Sequence, residues 1–234
     1  MKIENSTFLL TGGSAGIGKA TAIKLIENGG KVAITGRDKN KLNNVAKEIG
    51  AFPIHADVAK PEDIERTYEE FFNEFDKLDC LINNAGIGGM RAEVTELEWD
   101  TFVKIYSVNV FGAAMMAKKA AQIFKEQNYG NIVNIASTAA VKGYPTGTVY
   151  SSSKFALRGM TECWRAELRK HNVRVILINP SEVVTAFGDP NRNERKEVSN
   201  KLRSEEIAHT IVSTLEMDNR GFIPEVTIWA TNPF

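Results

Sequence analysis

The sequence has two cysteines, three histidines and no excess charge of either sign, and each shortage narrows the possibilities. Cys80 and Cys163 are too few to staple a fold, so both read as small buried apolar residues in a reducing compartment. His55, His171 and His209 are scattered without ligand spacing, which argues against a metal centre. Lysine plus arginine total 29 and aspartate plus glutamate total 29, so no global field draws the chain to nucleic acid or an anionic membrane. No uninterrupted apolar run approaches the ~20 residues that span a bilayer. Met1–Thr7 lacks the apolar stretch of a secretory leader, and no repeat, low-complexity tract or Pro/Ser-rich linker divides the chain. The expectation is a soluble cytoplasmic protein, one domain over residues 1–234, with 43% hydrophobic residues to build its core.

What is present is an alternation of short β-branched runs with longer helical stretches. Strands are predicted at 7–11, 31–35, 51–55, 79–82, 131–136, 173–178 and 225–229. Helices are predicted near 17–28, 39–49, 99–127 (with an irregularity near Asn109), 150–170 and 204–217, and another begins at Pro61. In that helix Ile64, Tyr68, Phe71, Phe72 and Phe75 recur on one face. The run VRVILI, from Val173, is apolar almost throughout, as suits a strand covered on both sides. Such alternation implies βαβ units: an α/β, three-layer, doubly wound parallel sheet of about seven strands. The stretch GDPNRNERKEVSN has no periodicity and reads as part of a lid, at about residues 186–203.

Thr11-Gly12-Gly13-Ser14-Ala15-Gly16-Ile17-Gly18 leaves the first strand and opens a helix. Glycines there let backbone N–H groups approach a diphosphate seated at the helix N-terminus. A tight strand–helix turn is the plainer alternative, and the place in the first βαβ unit favours the binding reading. The spacing TGxxxGxG resembles the classical branch of the short-chain dehydrogenase/reductase family, over essentially the whole chain. Asp57-Val58, Asn83-Asn84-Ala85-Gly86 and Tyr150-Ser151-Ser152-Ser153-Lys154 extend the resemblance.

Tyr150 and Lys154 stand one turn apart on a helix face. A tyrosine of pKa about 10 is a poor proton donor and acceptor near neutrality. A neighbouring ammonium, helped by an oxidised nicotinamide, is expected to favour phenolate and lower that value. Ser137 ends a strand at the carboxyl edge of the sheet, where parallel sheets bind ligands. The resemblance implies a catalytic set of Asn109, Ser137, Tyr150 and Lys154, with Tyr150 protonating an alkoxide, Ser137 holding the same oxygen, Lys154 on the nicotinamide ribose and Asn109 holding a water in the proton relay behind the lysine. It also implies a cofactor site of Gly12, Ser14, Gly16, Ile17, Gly18, Asp57, Val58, Asn84, Ala85, Gly86, Tyr150, Lys154, Pro180, Val183 and Thr185.

NAD-preferring sites usually end the second strand with an acidic residue. Here Gly36 holds that position and Arg37 follows, suited to a 2′-phosphate, with Ser14 and Lys41 beside it. NADP(H) is therefore the expected cofactor, and Asp38 is a neighbour that partly offsets Arg37. The family's PGxxxT is PSEVVT here, with Ser181 for the glycine. The overall look is similar to 3-oxoacyl-(acyl-carrier-protein) reductases and sepiapterin-reductase-like proteins. That implies a small-molecule ketone or acyl thioester as substrate, with acyl carrier protein as a candidate partner. Phe187, Met90 and Tyr144 are candidates for an apolar mouth. Arg192, Arg195, Lys196, Lys201 and Arg203 outnumber Asp189, Glu194 and Glu197 around the lid, as an acidic carrier would require; a solvated loop is the plainer reading. A homotetramer or homodimer is implied by the resemblance, and the apolar tail from Val226 to Phe234 suits such an interface or ordinary core. A non-catalytic NADP-binding sensor or scaffold remains the alternative from a different class.

Overall fold

The computed structural model describes residues 1–88, 91–187 and 195–232. Met90, Asp189, Arg192, Glu194 and the last two residues of the apolar tail lie outside the described residues, as does the 188–194 part of the expected lid. Among the described residues seven strands form one parallel sheet: β1 (Thr7–Leu10), β2 (Lys31–Gly36), β3 (Phe52–His55), β4 (Cys80–Asn83), β5 (Gly130–Ile135), β6 (Val173–Pro180) and β7 (Glu225–Ile228). Their spatial order is β3-β2-β1-β4-β5-β6-β7. The order reverses between β1 and β4, and the crevice at such a switch point is where doubly wound sheets bind ligands.

Seven helices cover the sheet among the described residues: α1 (Gly16–Glu27), α2 (Lys39–Ile49), α3 (Pro61–Glu74), α4 (Trp99–Tyr106), α5 (Ala113–Gln127), α6 (Thr148–Leu168) and α7 (Ser204–Glu216). Local chemistry sets their ends. The Asp38 carboxylate accepts from the Lys41 N–H at 3.0 Å and starts α2, and Gly50 stops it in the left-handed region. Pro61 opens α3 ahead of Glu62 and Asp63, which suit the positive helix end. The Glu206 carboxylate reaches back to the Arg203 N–H at 2.6 Å to start α7.

Alternation along the strands builds two apolar layers. Leu10, Ile34, Ile82, Val133 and Ile176 pack with Leu25 of α1 and Ile207 and Ile211 of α7. Leu9, Ala33, Leu81, Ile132 and Val175 point the other way, towards Phe71 of α3 and Phe124 of α5. Burying each such side chain fully stabilises by roughly 1.5–3 kcal/mol. Phe72 is exposed, so the apolar face of α3 is narrower than its sequence pattern.

The irregularity expected near Asn109 is a wide turn over 107–112 between α4 and α5, with i→i+5 bonding. A Cβ on Gly112 would stand 2.5 Å from the Val58 carbonyl oxygen, so this glycine lets the wide turn approach the loop after β3. Cys80 is buried, but Cys163 is exposed, correcting its sequence reading; it lies on a part of α6 turned away from both apolar layers. Among the described residues no helix is long and apolar enough to cross a membrane.

Candidate active site

The carboxyl ends of β1, β2, β4, β5 and β6 open onto a cleft of about 1350 Å³. Its floor at one end is the Gly12–Gly18 turn. Gly12 and Gly16 have φ of +70° and +52°, a region that costs side-chain-bearing residues strain. A Cβ on Gly18 would fall 2.3 Å from the Gly12 carbonyl oxygen. The Thr11 hydroxyl accepts from the Asn84 N–H at 3.1 Å and the Ala85 N–H at 3.0 Å. The Asn84 amide donates back to the carbonyls of Thr11 at 2.9 Å and Gly12 at 3.0 Å. Asn84 thus acts on the turn as well as lining the cleft. Helix α1 starts here at Ala15, with no side-chain cap and no acid in its first turn. Uncapped N–H donors and the helix dipole face the cleft together, so these residues fit a diphosphate.

The next segment suits a nucleoside. Arg37 and Asp57 line the cleft, the guanidinium Nη1 4.0 Å from the Asp57 Oδ2. The Asp38 carboxylate is engaged at the start of α2, so the nearer counter-charge to Arg37 is Asp57. Gly36 packs against Ser14, whose hydroxyl would be 3.2 Å from an added Cβ. Val58, Lys41, Ile17, Ala85 and Gly86 also line this space. At the far side stand Pro180, Val183 and Thr185, the last against Gly16. Val183 bridges to Leu202, so PSEVVT keeps the segment beside the cleft despite Ser181.

Ser137, Tyr150 and Lys154 meet where these walls join. Ser137 is extended after β5, and its hydroxyl accepts from the Ala139 N–H at 3.1 Å. It also faces the Tyr150 phenol closely enough to pull its pKa down. The Lys154 ammonium is buried, donates to the Ile135 carbonyl at 2.9 Å and lies 5.9 Å from the centre of the Tyr150 ring. Burial pulls Lys154 down to about 8 and pushes Tyr150 up to about 12, against the downward pull of Ser137. The expected lowering of Tyr150 belongs to the site with an oxidised nicotinamide bound; in the protein alone burial dominates.

Asn109 is buried behind the cleft and does not line it. Its amide donates to the Ile87 carbonyl at 3.0 Å and the Ser153 hydroxyl at 3.1 Å, and its oxygen accepts from the Ile87 N–H at 2.9 Å. Ser153 in turn donates to the Tyr150 carbonyl at 2.7 Å. A Cβ on Gly86 would lie 3.4 Å from the Asn109 oxygen and 3.6 Å from the Lys154 ammonium, so both groups border the same small space.

Phe187 stacks at 5.8 Å from Tyr150 and Tyr144 lines the same end, which makes two members of the expected mouth. Arg195 and Lys201 both pair with Glu182, and Arg203 pairs with Glu197 and Glu206, so much of the expected basic excess is locally neutralised. The sequence reading missed Arg91, Lys142, Glu182 as a lining residue and Trp229. They occupy separate loops, and no motif joins them.

A family model described as short chain dehydrogenase matches residues 6–196. An uncharacterized oxidoreductase of Staphylococcus aureus (strain MRSA252) is 32% identical over 94% of this chain and 95% of its own length. Among solved structures, an alcohol dehydrogenase from the archaeon Thermococcus sibiricus, complexed with 5-hydroxy-NADP, superposes with a TM-score of 0.90 at 26% identity, covering 97% of both chains. A 3-ketoacyl-(acyl-carrier-protein) reductase from Brucella melitensis, complexed with NADH, also has a TM-score of 0.90, at 27% identity over 99% of this chain and 100% of that one.

Proposed function

The chain belongs to the short chain dehydrogenase family, and from that premise we propose that it is an NADPH-dependent carbonyl reductase acting on a ketone. The observation that carries this reading is the meeting of Ser137, Tyr150 and Lys154 in one cleft with an uncapped helix N-terminus. A bound nicotinamide supplies the hydride that reaches the carbonyl carbon. Tyr150 supplies the proton: a phenol at about 12 is fully protonated near neutrality, and an alkoxide is basic enough to take its proton. Ser137 holds the same oxygen by hydrogen bonding. Lys154, at about 8, is mostly charged near neutrality and stabilises the phenolate left behind.

With the cofactor bound, the Gly12–Gly18 turn would hold the diphosphate, Asp57 and Val58 would flank the adenine beside Arg37, and Pro180, Val183 and Thr185 would meet the nicotinamide. Absence of a carboxylate at Gly36, with Arg37 facing the cleft, supports NADPH over NADH. At ~4 Å and an effective dielectric of ~20, the guanidinium and a 2′-phosphate gain up to ~4 kcal/mol before desolvation; Asp57 takes part of that. Likeness to the 3-ketoacyl-(acyl-carrier-protein) reductase supports 3-oxoacyl thioesters as a first substrate class. Exposed Trp99, Val103, Phe111 and Phe155 on and around α4 to α6 support assembly into a homodimer or homotetramer.

The test follows loss of NADPH absorbance with acetoacetyl-CoA, with NADH and Tyr150→Phe run in parallel. Turnover that falls with NADH and vanishes in the variant is expected. Tight NADPH binding with no turnover on any ketone would favour the sensor reading.

A further inference from the structure

We propose that the substrate end of the cleft is a carboxylate subsite, in which Arg91 and Lys142 hold an acid group a few bonds from the reacting carbon. The inference rests on the carbonyl reductase reading and, within it, favours short oxo acids over the thioesters considered above. Both cations line the cleft, and both are attached to segments that lead straight to the reacting groups. The Lys142 N–H donates to the Thr138 carbonyl at 3.2 Å, closing the turn that begins at Ser137. The Arg91 guanidinium lies 5.9 Å from the centre of the Tyr144 ring. Tyr144 in turn lines the cleft with Tyr150.

This arrangement is built. The Ala92 N–H donates to the Thr146 carbonyl at 3.3 Å, joining the loop of Arg91 to the loop of Tyr144. The Tyr144 ring rests on Gly147, where an added Cβ would stand 2.4 Å from Cε2. Thr146 adopts a φ of +62°, a strained value for a β-branched residue, to make that fold-back.

The local charges then leave a surplus. Among the described residues the carboxylate lining this end is Glu182, and Lys201 at 2.9 Å and Arg195 at 3.2 Å already hold it. Glu93, Glu96 and Glu98 follow Arg91 but lie outside the cleft lining. Among the described residues neither Arg91 nor Lys142 makes an ion pair. A substrate filling the cleft excludes water around the two cations, which strengthens their hold on an anion. The position matters as much as the sign. An anion on Arg91 lies beside Tyr144 in the cleft that Tyr150 lines, whereas the phosphates of an acyl thioester sit at the far end of a pantetheine arm.

The experiment compares acetoacetate with methyl acetoacetate as NADPH-linked substrates of the wild type and of Arg91→Gln, Lys142→Gln and the double variant. Both positions are exposed, so the variants are expected to fold. The expected result is a preference in kcat/KM for the acid of at least about tenfold, which the double variant cuts by about tenfold, mostly through the KM of the acid. Equal use of acid and ester, or a preference that survives the double substitution, would overturn the carboxylate subsite while leaving the reductase standing. Binding of malonate to the NADPH-saturated protein, read by cofactor fluorescence, is the second arm. If malonate binding weakens in the double variant but neither ketone is reduced, the subsite stands and the reductase reading falls. If malonate binds the wild type and double variant alike, the subsite is overturned.

Discussion

At the cofactor end the cleft is walled by glycine backbone that the Thr11 and Asn84 side chains pin in place, whereas the substrate end is closed by side chains on separate loops. The Gly12–Gly18 turn is fixed by Thr11 and Asn84, whose bonds join segments more than seventy residues apart. At the other end Arg91 lies over the Tyr144 ring, Phe187 lies tilted against Tyr150, and Glu182 is held by Arg195 and Lys201. A backbone site accepts one shape of ligand and demands glycine at set places. A side-chain site can change its preference by one substitution without disturbing the fold. The first end suits a shared cofactor and the second a particular substrate.

Lys154 marks the boundary between the ends, and it carries the largest predicted effect. Its value is 10.5 when solvated and about 8 in the fold. Below pH 8 both folded and unfolded chains carry the proton, so the full cost of the buried cation is present. As pH rises from about 8 towards 10.5, the unfolded chain binds more protons and folding stability increases, by roughly 3 kcal/mol over the whole window. Tyr150 acts oppositely between 10 and about 12, so the useful range ends near pH 10. Urea unfolding of wild type and Lys154→Met from pH 7.5 to 10 should show the difference shifting towards the wild type. A pH-independent difference would mean that Lys154 is not desolvated as described.

A smaller effect is expected from overfilling the backbone end. In Gly18→Val the Cβ would meet the Gly12 carbonyl oxygen at 2.3 Å and the Asn84 amide nitrogen at 2.5 Å. Overpacking of this kind costs about 1–3 kcal/mol of folding stability, so the midpoint of urea unfolding should fall, and the displaced turn should also weaken NADPH binding in a fluorescence titration, with circular dichroism to confirm folding. Arg37→Ala comes last. Its guanidinium is half exposed and makes one long contact with Asp57, so stability should hardly change. The ratio of kcat/KM for NADPH over NADH should fall about tenfold. An unchanged ratio would remove Arg37 from the cofactor reading.

The same contrast explains what could be read from the sequence. The parallel sheet was legible because Leu9 and Leu10, or Ile132 and Val133, face opposite layers and make continuous apolar runs. The backbone end was legible because its glycines are compulsory at those spacings. Even the break near Asn109 was visible, since an asparagine there interrupts an apolar helix, although only the fold shows that it holds Ile87 and Ser153. Strand β6 runs on through Asn179 and Pro180 because β7 pairs with both, which a polar residue after an apolar run concealed. Cys163 was misjudged because cysteine is usually buried, and residue type does not report which way a helix turns. The rise of Tyr150 depends on burial at the junction of three loops. Arg91, Lys142 and Trp229 come to one cleft only after folding, so no local pattern announced them.

Direct hydride transfer is the central claim, and label transfer tests it without relying on absorbance. NADPH carrying deuterium at C4, of the transferred face, is incubated with the protein and a ketone, and the product alcohol is examined by NMR. The account predicts deuterium on the carbinol carbon with the wild-type protein and about one-hundredth of that rate or less with Tyr150→Phe. Tight binding of the labelled cofactor with no deuterium in any alcohol, or equal transfer by Tyr150→Phe, would contradict it.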